Sequence, residues 1–97
     1  MGYTKVAVLA DNESGLTVGD GESWAGGVGA LVYAGTSFPT TCRVQIQLPN
    51  NAWLDVGAAN ITANGLESLD LPAGRYRLNK SGGTATALYV RLISIPR

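Results

Sequence analysis

Four carboxylates crowd the first quarter of this sequence: Asp11, Glu13, Asp20 and Glu22. Two such residues close together could serve as the acid and base of a glycoside hydrolase, or as hard oxygen ligands for calcium. Here they sit in polar, loop-like stretches, where nothing would raise one pKa to make a general acid. Asp11-Asn12-Glu13 and Asp20-Gly21-Glu22 also lack the Asp-x-Asp-x-Asp-Gly order of a calcium loop. Solvated turns are the simpler reading. The chain has no histidine, which removes the commonest general base, the Ser-His and Cys-His nucleophile systems and the usual zinc ligand. Gly26-Gly27-Val28-Gly29 lacks the later glycine of a dinucleotide fingerprint and any following Gly-Lys-Ser/Thr, so it reads as a bend leading into a strand. The residues thus predict no catalytic set, no metal and no cofactor. The chain is expected not to be an enzyme.

Binding chemistry is the other option. Trp53, beside Pro49-Asn50-Asn51, could be an exposed stacking platform for a sugar, with Tyr76 as a second one. In a small β-protein most aromatics are core, or lie at a subunit interface, and that reading competes. Arg43, Gln45 and Gln47 form a polar stripe that could grip a polymer, face solvent or touch another subunit.

The element that positions these groups is Thr41–Val56. Cys42, Val44, Ile46 and Leu48 share one parity, and Arg43, Gln45 and Gln47 the other, as in a half-buried strand. Pro-Asn-Asn stops it, and Ala52–Val56 returns as a second short strand. The pair reads as a hairpin with Cys42 and Ile46 in the core. Further strand candidates are Tyr3–Leu9, Leu16–Val18, the stretch from Ala30 to Ala34, Leu66–Leu71, Arg75–Leu78 and Thr84–Ile95. Loops or turns fall at Ala10–Gly15, Gly19–Gly21, Asn64-Gly65, Pro72–Gly74 and Ser81–Gly83. Thr84–Ile95 is apolar on both parities, so it wants cover on both faces. No stretch has helical periodicity. The expected fold is all-β: one antiparallel β-sandwich, jelly-roll or immunoglobulin-like, of about eight short strands.

The 97 residues fit one domain, and 14% of them are charged, against about 25% usually. So little charge resists association weakly. Net charge is zero, so nothing pulls the chain toward nucleic acid or an acidic membrane. The single cysteine, Cys42, allows no disulfide within the chain. The apolar run after Lys5 is too short for a signal peptide or a membrane span. Acids gather early and bases late, at Arg75, Arg77, Lys80, Arg91 and Arg97. Pairing within the chain and complementary patches on neighbouring copies both account for this.

Val44–Leu48, Asn51–Gly57, Leu71–Leu78 and Ala87–Leu92 together follow the order V-x-L-Q, W-x-D-V-G, L-P-A-G-x-Y-R and L-Y-V-x-L. Over residues 28–95 the chain resembles small all-β virion proteins of tailed bacteriophages, of the capsid decoration (cement) type. The resemblance implies a protein made in the host cytoplasm and carried on the outer capsid surface, where it binds the major capsid protein at subunit junctions and stabilises the head. It also implies a homotrimer, with neither nucleic acid nor membrane as partner. Residues 1–27 carry none of these motifs, so they are set apart from the 28–97 sandwich. They are either a docking strand or an outer strand of the sandwich. The candidate capsid or subunit interface comprises Tyr3, Val6, Val8, Asp11, Glu13, Asp20, Glu22, Arg75, Arg77 and Arg91. A tail- or host-facing carbohydrate-binding module, using Trp53 and Tyr76, is the alternative.

Overall fold

The computed structural model describes residues 5–56 and 60–95, and no helix occurs among them. The strands are β1 (Val6–Glu13), β2 (Glu22–Trp24), β3 (Gly27–Ala34), β4 (Ser37–Gln47), β5 (Trp53–Asp55), β6 (Gly65–Leu71), β7 (Gly74–Thr86) and β8 (Leu88–Ser94). They form two four-stranded antiparallel sheets. Sheet A has the order β1-β8-β3-β6 and sheet B the order β2-β7-β4-β5. The pairs β1–β8, β2–β7, β3–β6 and β4–β5 are all hydrogen-bonded. The chain is therefore one long antiparallel ribbon, paired from its ends inward. It is rolled so that β8 also meets β3 and β7 also meets β4. That connectivity is a jelly roll, and it decides against the immunoglobulin-like option.

The core lies between the sheets. Sheet A contributes Leu31, Leu88, Val90 and Leu92, and sheet B contributes Cys42, Val44, Tyr76 and Leu78, all almost fully buried. The period-two expectation for β4 and β5 holds: Gln45 pairs with Asp55, Ile46 with Leu54 and Gln47 with Trp53. Beyond β5, Asn60 seals the edge of β4. Its Oδ1 accepts from the Cys42 N–H at 2.7 Å, and its Nδ2 donates to the Thr40 carbonyl at 3.1 Å. The side-chain amide thus stands in for a neighbouring strand.

Several boundaries differ from the sequence expectation. Ala10–Glu13 looks like a loop by composition, yet it continues β1, because Ala10 is buried and pairs with Val90. Bulges after Val8 and after Ala10 fit the polar stretch into the ladder. Leu16–Val18 is not a strand but part of the β1–β2 connection. Ser81–Gly83 is not a turn. Both glycines take positive φ and lie within β7 beside Pro39 and Thr40. Asn64-Gly65 makes no two-residue hairpin either. Asn64 accepts from the Gly35 N–H, and a Cβ at Gly65 would come within 2.9 Å of the Tyr33 ring. Thr84–Ile95 is two strands rather than one. Ala87, at φ 51°, breaks it and passes the chain from sheet B to sheet A. Finally, β1 and β2 are members of the two sheets, and Trp24 of β2 lies in the core.

Ile46 is only half-buried, packed against the rim of the core rather than inside it. Leu92→Ala is therefore expected to cost about 2–5 kcal/mol, and Ile46→Ala roughly 1–2 kcal/mol. Urea midpoints of the two variants check the order. An equal loss would place Ile46 in the core after all.

Burial also sets an alkaline limit on stability. It pushes the Cys42 thiol up to about 11, against a smaller downward pull from the charge of Lys80. An unfolded thiol loses its proton near ~8.5, so from there up to about 11 the folded chain holds the extra proton. Stability therefore falls as pH rises through that window, by roughly 3 kcal/mol for this group. Burial raises Tyr76 as well and acts in the same sense. Urea midpoints across the window should drop in the wild type and drop less in Cys42→Ala. Equal slopes would assign the loss elsewhere.

Candidate functional site

The two outer sheet faces differ in character. On sheet A, cross-strand partners place Val6, Ile93, Ala30 and Ser68 in one row and Val8, Arg91, Val32 and Leu66 in the next. Tyr89 and Ala34 follow. Val6 is 52% exposed and Leu66 64%, and Val8, Tyr89 and Ile95 are exposed too. Four strands about 4.8 Å apart, each seven or so residues long, span roughly 400 Å². That is the area of the whole face, on which Ser68, Arg91 and Asp70 interrupt the apolar side chains; an exposed apolar cluster within such a face commonly marks an interaction surface. The one charge in these rows, Arg91, has its own partner: Nη2 lies 3.5 Å from Asp11 Oδ1.

On sheet B the outer face is polar. Arg77 Nε donates to Gln45 Oε1 at 2.8 Å, and Gln45 Nε2 donates to Asp55 Oδ1 at 2.9 Å. Arg43 Nε lies 3.5 Å from Asp55 Oδ2. The Arg77 guanidinium sits 4.3 Å from the centroid of the Trp53 ring.

Between the edges of the sheets, β1 and the start of β2 leave an open cleft of about 350 Å³ over Leu78. It brings together Val8, Glu13, Asp20, Glu22, Arg75 and Arg77 from the expected interface set. The cleft mixes both signs, and Arg77, bonded to Gln45, is not alone among its groups in having a partner. Glu13 Oε1 lies 2.6 Å from Lys80 Nζ, and Arg75 Nε donates to the Asp20 carbonyl at 2.9 Å. No group of three or more His, Cys, Asp or Glu able to hold a metal occurs among the described residues.

No protein-family model, curated protein or solved structure matches this chain.

The geometry corrects the expected site in three places. Tyr76 cannot stack a sugar. It is fully buried, and its hydroxyl donates to the Pro72 carbonyl at 2.6 Å. Trp53 is not core, because it stands opposite Gln47 on the polar face. Asp11 and Glu13 are not unpaired carboxylates, since they pair with Arg91 and Lys80 of the same chain. Val6, Val8 and Arg91 share the apolar face, whereas Arg75 and Arg77 belong to sheet B. Tyr3 lies outside the described residues.

Two features had escaped the sequence reading. Leu66 joins Tyr89 and Ile93 on the apolar face: the two-sided apolar run of Thr84–Ile95 had pointed to the latter two, whereas Leu66 was marked only by falling on the parity opposite Leu69 and Leu71. Lys80 points into the sandwich, in phase with Tyr76 and Leu78, with its side chain only 2% exposed.

Proposed function

We propose that this protein is a non-enzymatic structural module that assembles through the outer face of sheet A, in the capsid-decoration role its motifs imply. The single observation that carries this reading is the exposed apolar cluster on that face. A second copy of the chain is the favoured occupant. The Arg91–Asp11 pair on the face is neutral within one chain, and Asp70, opposite Val28 at the end of the same face, is the charge that a second copy has to accommodate. Self-association joins the subunits, and the assembled particle then binds the major capsid protein at subunit junctions on the outside of the head. Many modest contacts suffice there, because each particle engages the lattice at several points. The jelly roll itself serves both capsid and lectin domains, so the architecture does not choose the function.

The test has two parts. Light scattering at tens of micromolar should give an oligomer: a dimer if this face meets its own copy, whereas the trimer the resemblance implies needs a second, different contact patch on each subunit. Sedimentation with capsid shells of the phage that encodes the protein should bring it down at saturable stoichiometry. A monodisperse monomer sinks self-burial of the face. Shells that leave the protein in the supernatant sink the decoration role.

A further inference from the structure

We propose that the outer face of sheet B binds an acidic saccharide, with Trp53 as its stacking platform. The proposal is independent of what covers sheet A, and it leaves the opposite face of the sandwich open to solution.

Trp53 is held in a defined place. A Cβ at Gly21 would lie 3.1 Å from the far corner of the indole and 2.7 Å from the Tyr76 carbonyl, and Gly21 has φ 97°. Only glycine fits there, so the bare backbone of Gly21 forms a seat for the ring edge. One side of the ring carries the Arg77 guanidinium, yet Trp53 is only half-buried. An indole fixed at its edge and only half-buried is the kind of surface the C–H face of a pyranose ring packs on, on the side that Arg77 does not cover.

The polar groups around it are ordered before any ligand arrives. Gln45 is held between Arg77 and Asp55, so its amide and the Asp55 carboxylate do not rotate at random. Gln47 stands directly opposite Trp53. Side-chain amides and a carboxylate in a fixed row suit a ligand rich in hydroxyls, because little conformational entropy remains to be lost on binding.

Charge narrows the class. Arg43, Arg75 and Arg77 lie on this face with Asp55, which pairs with Arg43, while Asp20 and Glu22 flank Arg75 and Arg77 at its β2 edge. Arg75 and Arg77 are each tethered through Nε, to the Asp20 carbonyl and to Gln45. Those bonds engage Nε and leave out the terminal nitrogens, the pair that can fork onto a carboxylate; the Arg77 fork lies beside the Trp53 ring. A uronic acid combines the ring, the hydroxyls and the carboxylate. Single-stranded nucleic acid fits less well. It needs a track of basic groups and successive stacking residues, whereas this face has one aromatic and the molecule has no net charge.

Isothermal titration of the full chain with trigalacturonate, maltotriose and a thymidine oligonucleotide tests the proposal. Trigalacturonate is expected to bind more tightly than the neutral trisaccharide and to weaken with salt. Trp53→Ala should reduce its affinity by at least about tenfold, and Trp53→Phe should restore part of it. Arg77→Gln keeps the indole, so it should lower the preference for the acidic sugar over the neutral one; this arm stands even if Trp53→Ala does not fold. Absence of trigalacturonate binding, undiminished binding by both variants, equal affinity for maltotriose, or binding confined to the oligonucleotide would each overturn the assignment.

Discussion

Glu13→Ala is expected to lower the unfolding free energy by about 3 kcal/mol, the low end of the cost of breaking a buried ion pair. The reason lies in the unequal setting of the two partners. Lys80 Nζ is 2.6 Å from Glu13 Oε1, and the lysine side chain is 2% exposed while the glutamate is 43% exposed. Lys80 crosses the sandwich from sheet B to reach a carboxylate on sheet A. Removing Glu13 leaves an ammonium in the core with only the water that enters from the β1 side. Lys80→Met removes the charge itself and keeps the volume of the chain, so it should cost much less. The double variant Lys80→Met/Glu13→Leu should approach the wild type, since burying apolar groups in place of an ion pair is often neutral. Chemical denaturation of the three variants decides this. Equal losses for Glu13→Ala and Lys80→Met would mean that the pair acts through packing and not through charge.

Leu66→Asp and Val8→Asp are expected to abolish the proposed self-association while leaving the fold intact. Leu66 is 64% exposed and Val8 39% exposed in the single chain. An aspartate there stays solvated in the monomer, and the stability of the fold should change by no more than about 0.5 kcal/mol. In a face-to-face assembly the same carboxylate would be buried without a partner, which should weaken association by about a hundredfold or more. Light scattering over a concentration series reads the shift, and a urea midpoint confirms the unchanged fold. Variants that remain oligomeric would move the interface off sheet A. Arg91→Ala should have a smaller effect, since its ion pair with Asp11 is exposed on both sides.

The amino-acid sequence alone determined that this chain is built of strands, and it placed the hairpin of β4 and β5 with its core and polar faces. The reason is local. Side chains alternate with period two along any strand, so a run such as Cys42–Gln47 declares both its conformation and its faces before any partner is known. The same logic put Leu88, Val90 and Leu92 on one side. It also raised the need for cover on both sides of that strand; β8 has the core on one face, while its other face is part of the exposed outer surface of sheet A.

What only the tertiary structure decided is which strands are neighbours. The polar stretch Ala10–Glu13 becomes strand because β8 supplies its hydrogen bonds, and Ala87 divides one apolar run because the chain there must leave one sheet for the other. Pairing across 60 or more residues, as between Glu13 and Lys80 or between Asp11 and Arg91, leaves no trace in local spacing. The placement of Trp53 and Tyr76 was decided in the same way. Both are aromatics beside strand-like runs, but Tyr76 shares its parity with the interior of β7, and Trp53 takes the parity of Gln47 on the outside of β4. A sequence states which residues share a face of one strand. Only the packing of two sheets states which of those faces is the inside.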